Sequence, residues 1–390
     1  MKIAHVAFIN VPTASNINPT LPLVKVLARR GYRVTYAVSQ PFVSRVESAG
    51  AEVTDCKFSA ITAKNIDETS YCRLALKTLA STRTLYEKSP PDLVIYDYVA
   101  LAGRILAQKV KAPAVRLSVD PAFTRECLHE QISEPRLRED VLAVSARANK
   151  FLNEHGVTNG DFLLHREKLN VFHYPKEFEP SKEAIDESCI YAGRCPGEQD
   201  GFGEWSNLPN SDDTATILVA PSRSYMQGRE YFEMCVTAFS GIPWRVILSV
   251  DDASELLPLP PNFEIVQNVS YTKLLPYVDV VLGMGGFITS SEAAYHGVPL
   301  VMTSCGEVEV EWACENIARI GIGIHLRQEN TDAAALRQAI LTVLEGTQGL
   351  SIRNRMMELQ LSVRRGPGAE EVANRIEEVL TREGRARRLR

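Results

Sequence analysis

No apolar run in the 390 residues approaches the ~18–20 needed to cross a bilayer, which excludes a helical membrane protein. Positive charge is not in surplus: 43 Lys and Arg against 48 Asp and Glu leave a net of −5. A global basic field for nucleic acid or anionic lipid is therefore absent. Cysteine is sparse, with eight scattered residues and no Cys-x-x-Cys. That usage suits reduced, mostly buried thiols in a cytosol and excludes a disulfide scaffold. The seven histidines form no His-x-x-x-His and no mixed cluster at ligand spacing, so no metal is expected. Gly-x-Ser-x-Gly and Walker-type loops are missing, which leaves serine-hydrolase and nucleotide-hydrolase readings without support. No repeat at a 20–50-residue period is visible.

What is present is alternating strand and helix. Met1-Lys2-Ile3 through Ile9 is too short, and too soon followed by polar residues, to be a signal peptide. Ile3 to Val11 reads instead as a buried parallel strand. Pro12 to Pro19 is turn chemistry, and Leu21, Val24, Leu27 and Ala28 then fall at helical spacing. Gly31 sits where a helix-ending glycine belongs, and Arg33 to Val38 is the next strand. Strand, helix and strand in so short a span make a βαβ unit, whose right-handed crossover builds a parallel sheet. Asp92 to Asp97 and Ala114 to Val119 are further strands with a helix between them, and residues 120–175 read as helical and amphipathic.

Between 196 and 214 the composition turns to Pro, Gly, Asp, Asn and Ser, the signature of a linker. A second α/β half follows, with strands expected at Thr216–Ala220, Trp244–Val250, Phe263–Val266, Val278–Leu282 and Leu300–Met302. The fold class is α/β, two doubly wound Rossmann-like domains with a ligand cleft expected between them at the carboxyl ends of their strands. The expected division is an N-terminal acceptor-side domain at 1–195, a linker at 196–214, a C-terminal donor domain at 215–370 and a final helix with a basic tail at 371–390.

Several motifs occur in a telling order. Asn18-Pro19-Thr20-Leu21-Pro22-Leu23 and Gly31-Tyr32-Arg33-Val34-Thr35 are followed by Pro91-Asp92-Leu93-Val94-Ile95-Tyr96-Asp97 and Pro113-Ala114-Val115-Arg116-Leu117-Ser118. Tyr191-Ala192-Gly193, Pro260-Pro261-Asn262-Phe263-Glu264 and Gly285-Gly286…Glu292-Ala293…His296-Gly297-Val298-Pro299 complete the series. From the first strand to about residue 380 the chain resembles the family 1 glycosyltransferases of the GT-B fold, in particular the bacterial macrolide and natural-product subgroup. The resemblance implies transfer of a sugar from a nucleotide-activated donor to a small acceptor. It implies no cofactor; the donor, of UDP or dTDP type, is a co-substrate.

The resemblance also assigns roles to positions, and several of them are altered here. The family's acceptor-activating histidine falls at Asn16, and an amide is no base near neutral pH. Its partner carboxylate is Asp97, which equally suits a strand-end carboxylate capping the next helix. The family's donor turn after the first strand of the second half reads Ala220-Pro221-Ser222-Arg223-Ser224, where Ser222 and Arg223 can still hold an anion. The family's region with the nucleobase-stacking tryptophan corresponds to Asn268-Val269-Ser270-Tyr271, which lacks the tryptophan, and Tyr271 suits either a substitute for it or a plain loop tyrosine. Met284 takes the place of the diphosphate histidine. Gly285, Gly286 and Thr289 keep a small-residue turn at a helix N-terminus, which suits an anion. Glu292 corresponds to the ribose-binding carboxylate. Glu309 is the sugar-binding carboxylate, but no glutamine follows it and three alternating glutamates also suit a solvated edge.

If the family's base is missing, the residues offer three replacements. Asp120 follows a strand directly and points from its carboxyl end, where burial raises a carboxylate's proton affinity. His129 and His165 lie on the acceptor side, while His296 reads as part of a structural turn. The leading expectation is a cytoplasmic glycosyltransferase that works with inversion and a substitute base. The alternative is a scaffold without ordinary donor chemistry, serving as a non-catalytic partner of a homologue or running a different reaction on a glycoside or related metabolite. Its partners are a small-molecule acceptor and a nucleotide sugar, with no nucleic acid and no membrane. Both a homodimer and a homologous partner protein are compatible with this reading.

Overall fold

The computed structural model describes residues 3–56, 69–120, 135–179, 185–193, 214–221, 229–250, 258–267, 269–304 and 308–388. The expected linker at 196–214 lies outside them except for its last residue. The chain forms two compact units, residues 1–200 with 366–390 and residues 201–365.

The first unit is built on a seven-stranded sheet. Its strands are β1 (His5–Ile9), β2 (Arg33–Val38), β3 (Glu52–Asp55), β4 (Leu93–Asp97), β5 (Ala114–Ser118), β6 (Asn170–Phe172) and β7 (Cys189–Tyr191). They lie in the order β3-β2-β1-β4-β5-β6-β7, every pair parallel. The second unit carries β8 (Thr216–Ala220), β9 (Arg245–Ser249), β10 (Phe263–Val266), β11 (Val280–Gly283), β12 (Leu300–Thr303) and β13 (Gly323–Leu326). Their order is β10-β9-β8-β11-β12-β13, again all parallel.

Both orders reverse direction once, between β1 and β4 in the first unit and between β8 and β11 in the second. In an open α/β sheet that switch point leaves a crevice outside the strands' carboxyl ends, because the flanking connections run to opposite faces. Fully buried strands such as β1 and β4 explain the unbroken apolar runs of the sequence. The crossover helix Leu101–Val110 lies close on the first sheet because Gly103 has no side chain: a Cβ there would meet Tyr96 Cβ at 2.2 Å.

Three features depart from the sequence reading. The stretch expected to be helical from 120 to 175 is helical over Pro135–Glu154, and β6 lies within its last part. β6 and β7 are three residues each, too short to show a period of two. The C-terminal helix Ala369–Arg388 folds back onto the first unit, where Val372, Ala373 and Ile376 enter the core beside Val24 and Leu27. Arg29 and Arg30 both pair with Glu370 at its start. Among the described residues no helix is long and apolar enough to cross a membrane.

Candidate active site

At the first switch point two polar side chains meet. β4 ends on Asp97, and the short helix Ala14–Ile17 that follows β1 carries Asn16. Thr13 caps that helix, and Asn10 Nδ2 donates to the Asn16 carbonyl at 3.1 Å, so the turn is held from both ends. Asn16 Nδ2 donates to Asp97 Oδ2 at 2.6 Å, and the Val99 N–H donates to Oδ1 at 3.1 Å. Asn16 Oδ1 accepts from the Thr13 and Ser15 hydroxyls, which fixes the orientation of its amide.

Asp97 is 1% exposed. Burial pushes its carboxyl up to about 6, against the two hydrogen bonds and the field of Arg116, which favour the charged form. Both its oxygens are engaged, and Asn16 lies over it at 9% exposure. The carboxylate thus orients Asn16 as it would orient an imidazole, and the amide has no second ring nitrogen to take a proton.

Asp120 lies two residues beyond β5 and is half-buried. Tyr98, next after Asp97, directs its hydroxyl at Asp120 Oδ2 over 3.4 Å. His165 pairs with Glu167 at 3.1 Å, and Tyr96 donates to the same carboxylate at 2.7 Å. Burial would raise Glu167, but these hydrogen bonds outweigh it and hold it below the usual range. His129 lies outside the described residues.

In the second unit, β11 runs into Met284-Gly285-Gly286 and then the helix Phe287–His296. Met284 is buried in the core with Val280 and Leu282, so its side chain is packing and the outward part of this turn is backbone. Gly285 holds φ at +73°, and a Cβ there would meet the Val310 carbonyl oxygen at 2.8 Å. Gly286 is exposed and precedes the helix with no side-chain cap. The N–H groups of the first turn, among them that of Thr289, have no acceptor within the helix and carry its positive dipole end. Glu292 follows on the second turn, 8% exposed.

The other donor-side candidates are scattered in what can be described. Tyr271 opens a short helix, and its hydroxyl donates to Ser249 Oγ at 3.0 Å, so the ring is tethered to the end of β9. Ser222 and Arg223 lie outside the described residues, as does the side chain of Glu309 in the helix Val308–Arg319. Two further histidines, one in each unit, carry no sequence signal of their own. His325 Nε2 lies 3.1 Å from Ser304 Oγ and 3.5 Å from Glu311. His173, just beyond β6, is 2% exposed, and burial lowers its imidazole to about 4.

Two doubly wound parallel sheets, each with its candidate residues at the switch point, define the α/β architecture of the GT-B transferases. The sequence of residues 238–379 matches the family model for the erythromycin biosynthesis protein CIII-like C-terminal domain. Over its full length the chain is similar to the NDP-glycosyltransferase YjiC of Bacillus subtilis, 30% identical with 97% of each chain covered. It is similar also to the demethyllactenocin mycarosyltransferase of Streptomyces fradiae, 28% identical over 97% of this chain and 87% of that one. Among solved structures, the calicheamicin glycosyltransferase CalG4 superposes with a TM-score of 0.81 at 28% identity, covering 98% of this chain and 99% of that one. The kitacinnamycin glycotransferase superposes with a TM-score of 0.82 at 25% identity, covering 97% of this chain and all of that one (100%). The chain belongs to the family 1 glycosyltransferases, in their macrolide and natural-product subgroup.

Proposed function

We propose that the chain transfers a sugar from a UDP- or dTDP-type donor to a hydroxyl of a small natural product, with inversion at the anomeric carbon. The acceptor oxygen forms a bond to that carbon as the bond to the diphosphate breaks, and the hydroxyl proton passes to a base. The observation that carries this reading is the pair of switch-point sites. The first holds Asn16 over Asp97, and the second holds the Gly285-Gly286 turn with Glu292 behind it.

On this reading the first turn of the Phe287–His296 helix receives the diphosphate, whose growing charge its N–H groups stabilise. Glu292 holds the ribose hydroxyls, and Tyr271, Ser222, Arg223 and Glu309 complete the donor side. Asp120 is the substitute base, since Asp97 is sealed and Asn16 has no basic atom. The reaction needs no cofactor beyond the donor itself, and the protein works in the cytoplasm.

A second reading rests on the engagement of both Asp97 oxygens beneath a non-basic amide. There the scaffold lacks ordinary transfer chemistry and serves as a partner of an active homologue, or acts differently on a glycoside. Calorimetry with UDP and dTDP separates the two. Binding by the wild type, weakened by ~1–3 kcal/mol in Glu292→Ala through loss of hydrogen bonds to a charged group, supports transfer. No binding at millimolar nucleotide supports the partner role.

A further inference from the structure

Arg116 is the middle residue of β5, 3% exposed, and its Nη2 has no hydrogen-bond partner among the described residues. A guanidinium keeps its charge in a protein, so the cation is withdrawn from water without an acceptor for that group. Its strand neighbour in register is Tyr96, and its guanidinium carbon lies 5.0 Å from the centre of the Tyr98 ring. Arg116 lines a cavity of about 10 Å³ together with Arg104, Tyr96, Tyr98, Phe162 and His165.

The polar groups around this cavity are committed elsewhere. Arg104 Nη2 donates to the carbonyls of Asn159 and Gly160. Glu167 Oε1 takes the Tyr96 hydroxyl and His165 Nε2. Asp97 and Asp161 act on Arg116 and Arg104 through their fields alone. The wall therefore presents two guanidiniums, and among the described residues no acceptor reaches Arg116 Nη2. A water-sized sphere has room to shift within this space, so a monoatomic ion fits.

We propose that this cavity is a halide site, in which a chloride-sized anion accepts from Arg116 Nη2 and faces Arg104. The anion supplies an acceptor that no described residue offers, and it sits beneath Tyr98, one residue from Asp97. It needs no part of the donor site.

The test uses the full chain at constant ionic strength, with chloride or bromide exchanged for gluconate, a much larger anion. Thermal unfolding should rise by ~2–4 °C for each tenfold increase in halide above the dissociation constant. Crystals soaked in bromide should show an anomalous peak within hydrogen-bond reach of Arg116 Nη2. Arg116→Met, which replaces the cation by an apolar side chain, should abolish both effects. Equal unfolding temperatures in halide and gluconate would mean that water fills the cavity and would overturn the proposal. A bromide peak without any thermal response would be an adventitious ion only, and halide dependence that survives Arg116→Met would place the ion elsewhere; either also overturns it. Should Arg116→Met not fold, the wild-type halide series and the bromide peak decide alone.

Discussion

Asn16 Nδ2 lies 2.6 Å from Asp97 Oδ2, in the position that the Nδ1 of a histidine would take. Both atoms are bonded to Cγ, so an imidazole at residue 16 keeps the hydrogen bond to Asp97 and adds Nε2 one atom further out. The amide preserves half of a base-carboxylate pair: the half that orients and not the half that accepts a proton.

Asn16→His should therefore rebuild the pair without moving the backbone. A positioned base contributes ~10²–10⁴ in rate, so turnover of a generic phenolic acceptor should rise by ~10² or more. The comparison is initial rate at saturating donor, wild type against variant. If the histidine variant folds and its rate does not move, Asp97 is not placed to support a base.

The same carboxyl makes a prediction about pH and stability. Asp97 takes up a proton more readily in the native state, at about 6, than in the unfolded chain. Its contribution to stability is full below the unfolded value and is lost as pH rises to about 6, on the order of 3 kcal/mol. His173 has the opposite sign. Its native value near 4 lies below that of the unfolded chain, so its contribution is full above about 6.5 and is lost as pH falls towards 4. The two slopes overlap and cancel to within about 1 kcal/mol between pH 4 and 6.5. Denaturant unfolding of the wild type should be nearly flat over that window. Asp97→Asn should expose a loss on the acid side, and His173→Phe a gain. Parallel curves for all three proteins would show that neither group is buried as described.

Much of this arrangement was legible in the sequence because it follows from chain direction. The run from Leu93 to Asp97 marks a buried strand that ends on a carboxylate, and the Gly285-Gly286 pair before an apolar helix marks a turn open to an anion. Arg116 reads in the sequence only as part of a strand, because a charge at mid-strand says nothing of what lies opposite it. That its Nη2 has no partner among the described residues appears only once Tyr98, Arg104 and Phe162 have been brought together from distant segments. His173 follows a three-residue strand that gave no pattern, so its burial was not readable either. Met284 falls at a ligand-binding position of the family, yet the end of β11 delivers its side chain to the core.

The two glycines of the donor turn should separate structure from binding. Gly285 is left-handed, and an added Cβ would meet the Val310 carbonyl oxygen at 2.8 Å and Cys314 Sγ at 2.9 Å. Gly285→Ala should lower stability by at least ~1–2 kcal/mol, the cost of the left-handed conformation alone. Gly286 has φ of −69°, and the nearest atom to its Cβ would be Thr289 Oγ1 at 3.9 Å. Gly286→Ala should leave the unfolding temperature unchanged while weakening nucleotide binding, because its methyl group stands on the exposed approach to the helix. Unchanged nucleotide affinity in a stable Gly286→Ala protein would remove the diphosphate from this turn.

The substitute base is tested by two shape-preserving changes. Asp97 has both oxygens engaged and is 1% exposed, whereas Asp120 is half-buried beside the carboxyl end of β5. A proton acceptor must reach the acceptor hydroxyl, so accessibility assigns the role to Asp120. Asp120→Asn removes basicity and keeps shape, and it should lower turnover at least tenfold with unfolding temperature and nucleotide affinity unchanged. Asp97→Asn should lower it less, because that carboxyl acts through Asn16 and not on the reacting atoms. The informative quantity is kcat across pH: the wild-type acid limb should disappear in Asp120→Asn and persist in Asp97→Asn. If both variants keep wild-type turnover with the native acceptor, no carboxylate at this switch point takes the proton. The acceptor must then arrive already ionised, since transfer to a neutral hydroxyl leaves a proton that some group has to receive.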